Sequence, residues 1–222
     1  AIQNMIDRNI LLVQGKAGTG KSSVISALTN ILNDNNYSFA QCALSGKAAN
    51  NLSLITKAKG STIHRLLGIG TESQNDDKNP LPYSVIILDE ISMVDSKIFL
   101  QLLRAIPKDG KLIMLGDSGQ LDSIGAGVMN GIIQSKAIPT THLTKIFRQA
   151  QDSAIITHSS FFREGKAPDD LKISAGTSKV YGNNQDFEYI FVKTDDEKDL
   201  LLRNAMLKFK EAIEKYGIDG TQ

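Results

Sequence analysis

An apolar stretch, Ile10 to Gln14, runs into Gly15-Lys-Ala-Gly-Thr-Gly-Lys21-Ser22, and then into a segment where Val24, Ile25, Ala27, Leu28, Ile31 and Leu32 recur at helical spacing. A strand that hands over to an amphipathic helix through a few glycine-rich residues commits the chain to a β-loop-α unit. The glycines let the backbone curl so that successive N–H groups point inward, and the helix adds its positive end to the same point. Such a loop is a cradle for phosphate oxygens. Lys21 is then placed to meet the β and γ phosphates and Ser22 to ligate Mg²⁺. The residues expected around a bound nucleotide are Gly15, Lys16, Ala17, Gly18, Thr19, Gly20, Lys21, Ser22 and Ser23. A glycine-rich turn matching by chance is disfavoured by the strand and the helix on either side.

The same rhythm continues downstream. Ser38 to Leu44 reads as a strand and Lys47 to Ile55 as a helix; Val85 to Leu88 and Leu112 to Leu115 read as buried strands. Between the last two lies a helix carrying Ile98, Phe99, Leu102, Leu103 and Ile106, ended by Pro107. Alternating β and α segments imply a parallel sheet flanked by helices. The 222 residues suffice for one α/β domain and an appendage. Two segments interrupt the pattern. Gly68 to Pro82 is polar and rich in turn formers, which predicts an inserted loop or hairpin over 68–83. Gly165 to Asn184 reads as a linker, placing the main domain at 1–165 and a linker with an incomplete further domain at 166–222. In that tail Phe187 to Val192 is strand-like. Thr194 and Glu197 form a capping box for a helix with Leu202, Met206, Phe209, Ile213 and Tyr216 on one stripe and Gly217 as its stop. One strand and one helix cannot build a core of their own.

Val85-Ile-Ile-Leu-Asp89-Glu90 sets two acids at the carboxyl end of a buried strand, the edge at which open α/β sheets bind ligands. Asp89 is the expected metal ligand beside Ser22, and Glu90 the expected base that orients and deprotonates an attacking water. A net charge of +1 gives no bulk attraction to nucleic acid, so any contact with it must come from a local groove. The apolar runs are strand-sized and predict no membrane span. Lone Cys42, in an apolar stretch, reads as a buried small hydrophobe in a reduced, cytoplasmic setting.

Further strings fall in register with these. Ser45-Gly-Lys-Ala-Ala49, Ser61-Thr-Ile-His-Arg-Leu-Leu-Gly68, Asp89-Glu-Ile-Ser-Met93, Gly116-Asp-Ser-Gly-Gln120-Leu121 and Leu143-Thr-Lys-Ile-Phe-Arg148-Gln149 follow the cradle in order. With them the chain resembles the RecD-like helicases of superfamily 1 over most of its length. The resemblance implies a RecA-like P-loop NTPase fold using ATP and Mg²⁺, the first motor domain of an enzyme that translocates 5′ to 3′ on single-stranded DNA. It implies that Gln120 senses the γ-phosphate and that Arg148 contacts it from the domain edge. Lys21, Asp89, Glu90, Gln120 and Arg148 then form the catalytic set. The family's DNA path runs past Ser45, Gly46, Lys47, Thr62 and His64. Taken without the resemblance, His64 reads equally as a residue capping or packing a short helix. Only 6% of the chain is aromatic, so gripping of the DNA backbone should outweigh base stacking on this half.

Leu44-Ser45 stands where the family shows a proline and a threonine, and Asp122 where a proline follows Gln-Leu. The tail from Phe187 resembles the start of the second motor domain. The family's adenine-recognising glutamine and its last two motifs are expected outside these residues, so the chain reads as a fragment that binds ATP weakly, hydrolyses it slowly and does not unwind processively. The expected partners are single-stranded DNA, the second motor domain, and a nuclease or relaxase. The alternatives are a P-loop ATPase of another class that remodels without gripping DNA, and a nucleotide-binding fragment that only docks.

Overall fold

The computed structural model describes residues 7–70, 79–120, 122–146, 153–166, 178–183 and 185–220, with side chains as far as residue 215. The chain divides into two compact units, Ala1–Arg148 and Gln149–Gln222.

The first unit is built on six parallel strands: β1 (Ile10–Gly15), β2 (Phe39–Ala43), β3 (Gly60–Thr62), β4 (Val85–Leu88), β5 (Lys111–Gly116) and β6 (Thr140–Leu143). Their order across the sheet is β3-β2-β4-β5-β1-β6. Its helices are α1 (Lys21–Asp34), α2 (Gly46–Thr56), α3 (Ile63–Leu67), α4 (Ser96–Ala105) and α5 (Met129–Ser135). The expected parallel α/β layer is present, with β3 and β6 added as short edge strands that hydrophobic pattern alone did not mark.

The central strands are apolar at consecutive positions because both faces of the sheet are covered. Leu11, Val13, Val85, Ile87, Ile113 and Leu115 pack with Ile25 and Leu28 of α1 and Leu52 of α2. Their neighbours Leu12, Ile86, Leu88, Leu112 and Met114 point the other way, to Ile63 and Leu67 of α3 and Phe99 and Leu102 of α4. Cys42 is fully buried in this second layer, as its apolar surroundings implied, and burial pushes its thiol up to about 12. The Asn-rich stop after α1 works through Asn36, which turns left-handed at φ 57° while Tyr37 N–H bonds the Leu32 carbonyl at 2.9 Å. Ile106 is extended ahead of Pro107 and ends α4.

Within the second unit, α6 (Ala154–Arg163) accompanies an antiparallel pair, β7 (Ser178–Tyr181) and β8 (Phe187–Ile190), and a long helix, α7 (Asp195–Gly220). The break between units therefore falls at 148/149 rather than at the 165/166 suggested by composition. The reason is an aromatic cluster: the His158 ring lies 4.9 Å from Tyr181 and 5.7 Å from Phe187, and Tyr189 lies 4.6 Å from Phe187. These contacts tie α6 to the hairpin. Asp186 accepts a 2.9 Å bond from Ala154 N–H at the start of α6, and its carboxyl is held below the usual range, chiefly by the Ser153 hydroxyl.

Two expectations for the tail are corrected. Part of the presumed linker, Ser178–Tyr181, is a strand, held by pairing with Phe187–Ile190. The cap half of the box is present, with Glu197 N–H on Thr194 Oγ1 at 3.2 Å, while Glu197 Oε2 accepts at 2.6 Å from the N–H of Lys193, one residue before the cap. Gly217, however, does not stop α7, which runs to Gly220, since one glycine only weakens a helix already propagating from a capped start. Of the insertion expected over 68–83, residues 71–78 lie outside the described residues. Among the described residues no helix is long and apolar enough to cross a membrane.

Candidate functional site

Because all six strands of the first unit are parallel, their carboxyl ends share one edge of the sheet. Gly15 of β1, Ala43 of β2, Thr62 of β3, Leu88 of β4, Gly116 of β5 and Leu143 of β6 all lie there. Each motif noted in the sequence follows one of these ends.

The loop after β1 curls through Gly18 at φ 75° and Gly20 at φ 84°, conformations that favour glycine. Gly20 is the N-cap of α1 and offers no side chain to that helix. By contrast Ser45, Thr62, Asp95 and Ser153 each cap a helix by accepting a first-turn N–H, in α2, α3, α4 and α6. No side chain caps the start of α1, and a helix start of this kind favours an anion. Lys21 lies across the loop, with Nζ 2.5 Å from the Gly15 carbonyl and 3.2 Å from that of Lys16. Lys16, Ala17, Ser22 and Ser23 are exposed around it. Thr19 is turned inward. It is buried, and both its hydroxyl, at 2.7 Å, and its N–H, at 3.3 Å, bond the Lys16 carbonyl, so it braces the loop. A Cβ on Gly15 would meet Thr19 Oγ1 at 2.4 Å and Leu143 Cβ at 3.1 Å, which leaves no room for any larger residue there.

Asp89 and Glu90 leave the sheet at the end of β4, two strands from β1 with β5 between, a separation of about 10 Å. Asp89 is anchored by its N–H on the Cys42 carbonyl at 2.9 Å, and its Oδ1 accepts from Glu90 N–H, also at 2.9 Å. Burial raises the Asp89 carboxyl above its ordinary range; the Glu90 amide and the charge of Lys21 pull it back only in part. Burial, followed by the neighbouring Asp89 charge, raises Glu90 as well, against the pull of Lys21. Glu90 also takes a left-handed backbone, φ 56°, which costs a non-glycine residue about 1–2 kcal/mol. Two desolvated acids facing one lysine are short of positive charge, and a divalent cation would supply it. Asp89 and Ser22, both on the cradle's edge of the sheet, fit that group.

One consequence concerns the chain without nucleotide or metal. A carboxyl raised in the folded state favours the fold below its ordinary range and disfavours it as pH rises through the folded value. Asp89→Asn keeps an acceptor for Glu90 N–H but cannot ionise. It should melt higher than the unsubstituted chain at pH 7 in metal-free buffer, the gap closing as pH falls below the ordinary carboxylate range. Thermal melts across pH test this, and a lower melting point for the variant at pH 7 would contradict it.

The loop after β5 holds Gln120. Its N–H bonds the Asp117 carbonyl at 3.0 Å, and its Oε1 lies 3.4 Å from Ser92 Oγ, just beyond the paired acids. Asp117 is buried and accepts Gly119 N–H at 3.1 Å, so it shapes the turn that presents Gln120. Gln14 Nε2 bonds Ser118 Oγ, joining this loop to the strand beneath the cradle. Ser92, Asp117, Gln14 and Ser118 were not singled out in the sequence. Ser92, Asp117 and Ser118 stand inside the motif strings, and Asp117 carried the further signal of an acid directly after a buried strand. Arg148 lies outside the described residues.

Ser45 and Thr62 come together at the ends of neighbouring strands, since Ala43 pairs with Thr62. Both hydroxyls are occupied as caps, Ser45 by Ala48 N–H at 3.1 Å and Thr62 by Arg65 N–H at 3.2 Å. Gly46, Lys47 and His64 are exposed beside them.

A family model described as "AAA domain" matches residues 1–185. The chain belongs to this AAA domain family. Its relatives include RecD helicases. It is 33% identical to the ATP-dependent RecD2 DNA helicase of Deinococcus radiodurans over 75% of this chain and 23% of that protein. It is 27% identical to the RecBCD enzyme subunit RecD of Haemophilus influenzae over 97% of this chain and 41% of that subunit. The AAA domain thus spans well under half the length of either relative. The crystal structure of the Pif1 helicase of Candida albicans superposes with a TM-score of 0.56 at 26% identity, covering 76% of this chain and 44% of that one. The RecA-like parallel sheet of this AAA domain is the fold the motifs implied.

Proposed function

We propose that this AAA domain binds and hydrolyses ATP as the first motor domain of a 5′ to 3′ DNA helicase, coupling hydrolysis to translocation on single-stranded DNA. The observation that carries the reading is the meeting of the uncapped α1 start, the paired acids and Gln120 on one edge of the sheet. In this reading the N–H groups of the loop and of α1 receive phosphate oxygens, Lys21 leaves its two carbonyls for the β and γ phosphates, and Ser22 and Asp89 hold Mg²⁺. The bound ion neutralises phosphate charge. Glu90 orients and deprotonates the water, and its raised carboxyl is the better base. Gln120 and Arg148 read the γ-phosphate. Loss of that phosphate would be felt at Ser92 through Gln120, and at β1 through Ser118 and Gln14.

The strand would run across the ends of β2 and β3, gripped by Gly46, Lys47 and His64, with Ser45 and Thr62 presenting the helix starts. The names of the relatives support DNA as the track, and a second motor domain, beginning in 166–222, is the proposed partner. The insertion over 68–83 is assigned to strand separation, and a nuclease or relaxase partner would fit the RecD relatives. ATP turnover with and without a single-stranded oligonucleotide tests the reading. Turnover should be Mg²⁺-dependent and stimulated by the strand; hydrolysis indifferent to DNA would sink the helicase assignment. A finer expectation concerns Lys47→Ala. It should weaken oligonucleotide binding and reduce the slope of log affinity against log salt by about one, the signature of one lost phosphate contact. An unchanged slope would take Lys47 off the track.

A further inference from the structure

Gln14 follows Leu11, Leu12 and Val13, all fully buried, and is itself half-buried at the carboxyl end of β1. In register it stands beside Gly116, the last residue of β5, and the next residue along β1 is Gly15, whose carbonyl accepts from Lys21. Gln14 therefore lies between the cradle and the loop that carries Gln120. Its side chain spans the two, for Nε2 donates to Ser118 Oγ, 104 residues away. The bonds within that loop, from Gly119 N–H to Asp117 Oδ1 and from Gln120 N–H to the Asp117 carbonyl, set its shape but not its place. Two side-chain bonds reach beyond it. Gln120 meets Ser92 on the side of the acids at 3.4 Å, long for a hydrogen bond, and Ser118 meets Gln14 on the side of the cradle.

The other end of the amide is a burden on the fold. Gln14 Oε1 is buried with no partner among the described residues. Turning the amide over exchanges its oxygen and nitrogen, yet the Ser118 hydroxyl can donate or accept, so one end still meets Ser118 and the other stays unsatisfied. A leucine would end this apolar strand without that penalty. A polar side chain kept where half of its bonding is unmet points to the bond that it does make.

We propose that Gln14 is a positioning residue for ATP hydrolysis: by holding Ser118 it fixes the 117–120 loop against the cradle and so sets Gln120 toward the γ-phosphate. The inference rests on the reading of this domain as an ATP-driven motor, and adds to it the tie that places one of its groups. Gln14 takes no direct part in the chemistry. Its loss must therefore show in turnover rather than in nucleotide binding, and must depend on Gln120 being present.

The test compares the full chain with Gln14→Leu, Gln120→Ala and the double variant, in steady-state turnover of Mg-ATP with a saturating single-stranded oligonucleotide. Gln14→Leu should lower kcat by about tenfold, the worth of one hydrogen bond, and leave KM nearly unchanged. It should melt no lower than the unsubstituted chain, because it removes an unsatisfied buried amide end and leaves the exposed Ser118 hydroxyl to water. In the Gln120→Ala background the same change should cost nothing further, since the two residues act as one unit. Amide exchange at Gly119 and Gln120, read without nucleotide, should be several-fold faster in Gln14→Leu. An unchanged kcat, a KM raised in step with the loss of turnover, a melting point that falls with kcat, or losses that multiply in the double variant would overturn the proposal. If the unsubstituted chain turns over ATP and Gln14→Leu equals it, the motor reading stands and only the role of Gln14 is lost. If the unsubstituted chain turns over no ATP, the motor reading fails, and unaltered exchange at Gly119 and Gln120 would by itself remove the tie.

Discussion

Glu90→Gln is expected to lower ATP turnover by about 10²–10⁴-fold while leaving nucleotide affinity nearly unchanged. The substitution keeps the size of the side chain and removes its ability to take a proton. That fold-change corresponds to about 3–5 kcal/mol of transition-state stabilisation. Three features of the position support the expectation. Glu90 follows β4 at the edge that carries the cradle, its carboxyl is raised by burial and by Asp89, and its backbone is held left-handed at φ 56°. A non-glycine residue kept in that conformation at such a place is strain retained where chemistry needs it. Single-turnover hydrolysis and titration of a fluorescent ATP analogue, run side by side, separate the two quantities. Loss of binding in step with turnover would mean that Glu90 holds the nucleotide rather than activating water. Unchanged turnover would remove it from the mechanism.

Lys21→Ala is expected to weaken ATP by on the order of 10–100-fold, because hydrogen bonds to charged groups contribute about 1.5–3 kcal/mol. The Lys21 ammonium bonds the loop carbonyls of Gly15 and Lys16, and its charge also acts on Asp89 and Glu90. Lys21 is partly exposed and solvent screens its charge, so the cost to the fold should be small, and the melting temperature without nucleotide should move little. The difference appears on adding Mg-ATP. At about 100 times its dissociation constant, a ligand stabilises a protein by about 2.7 kcal/mol, and this increment should vanish in the variant. If the variant melted far lower than the unsubstituted chain before any ATP was added, Lys21 would be structural. If the ATP-induced shift survived the substitution, the cradle assignment would fail.

Much of this site was legible along the chain because its parts are local. The curl from Gly15 to Ser22 is set by neighbouring residues, and the start of α1 follows it directly. The cap at Thr194 is a contact across three residues. The buried strands announced themselves as unbroken apolar runs, because covering both faces of a sheet removes the alternation that a one-sided strand shows. The short edge strands β3 and β6 had no such mark. They are half exposed, and pairing with β2 and β1 holds them in place rather than any pattern of their own. The same limit hid β7, whose residues are exposed apart from Tyr181 and whose identity as a strand comes from β8.

What the residues determined unaided is the chemistry available: a phosphate-binding turn, two acids, a glutamine and a lysine, each at the end of a strand or the start of a helix. Their meeting is a product of the sheet order, which sets β5 between β1 and β4 and so brings Gln120 from 28 residues away within 3.4 Å of Ser92. The boundary at 148/149 likewise came from tertiary contact, through His158 reaching Tyr181 and Phe187. Short-range sterics and capping act between neighbours and can be read in order. Strand pairing and ring packing join residues distant in the chain, and they exist only once it has folded.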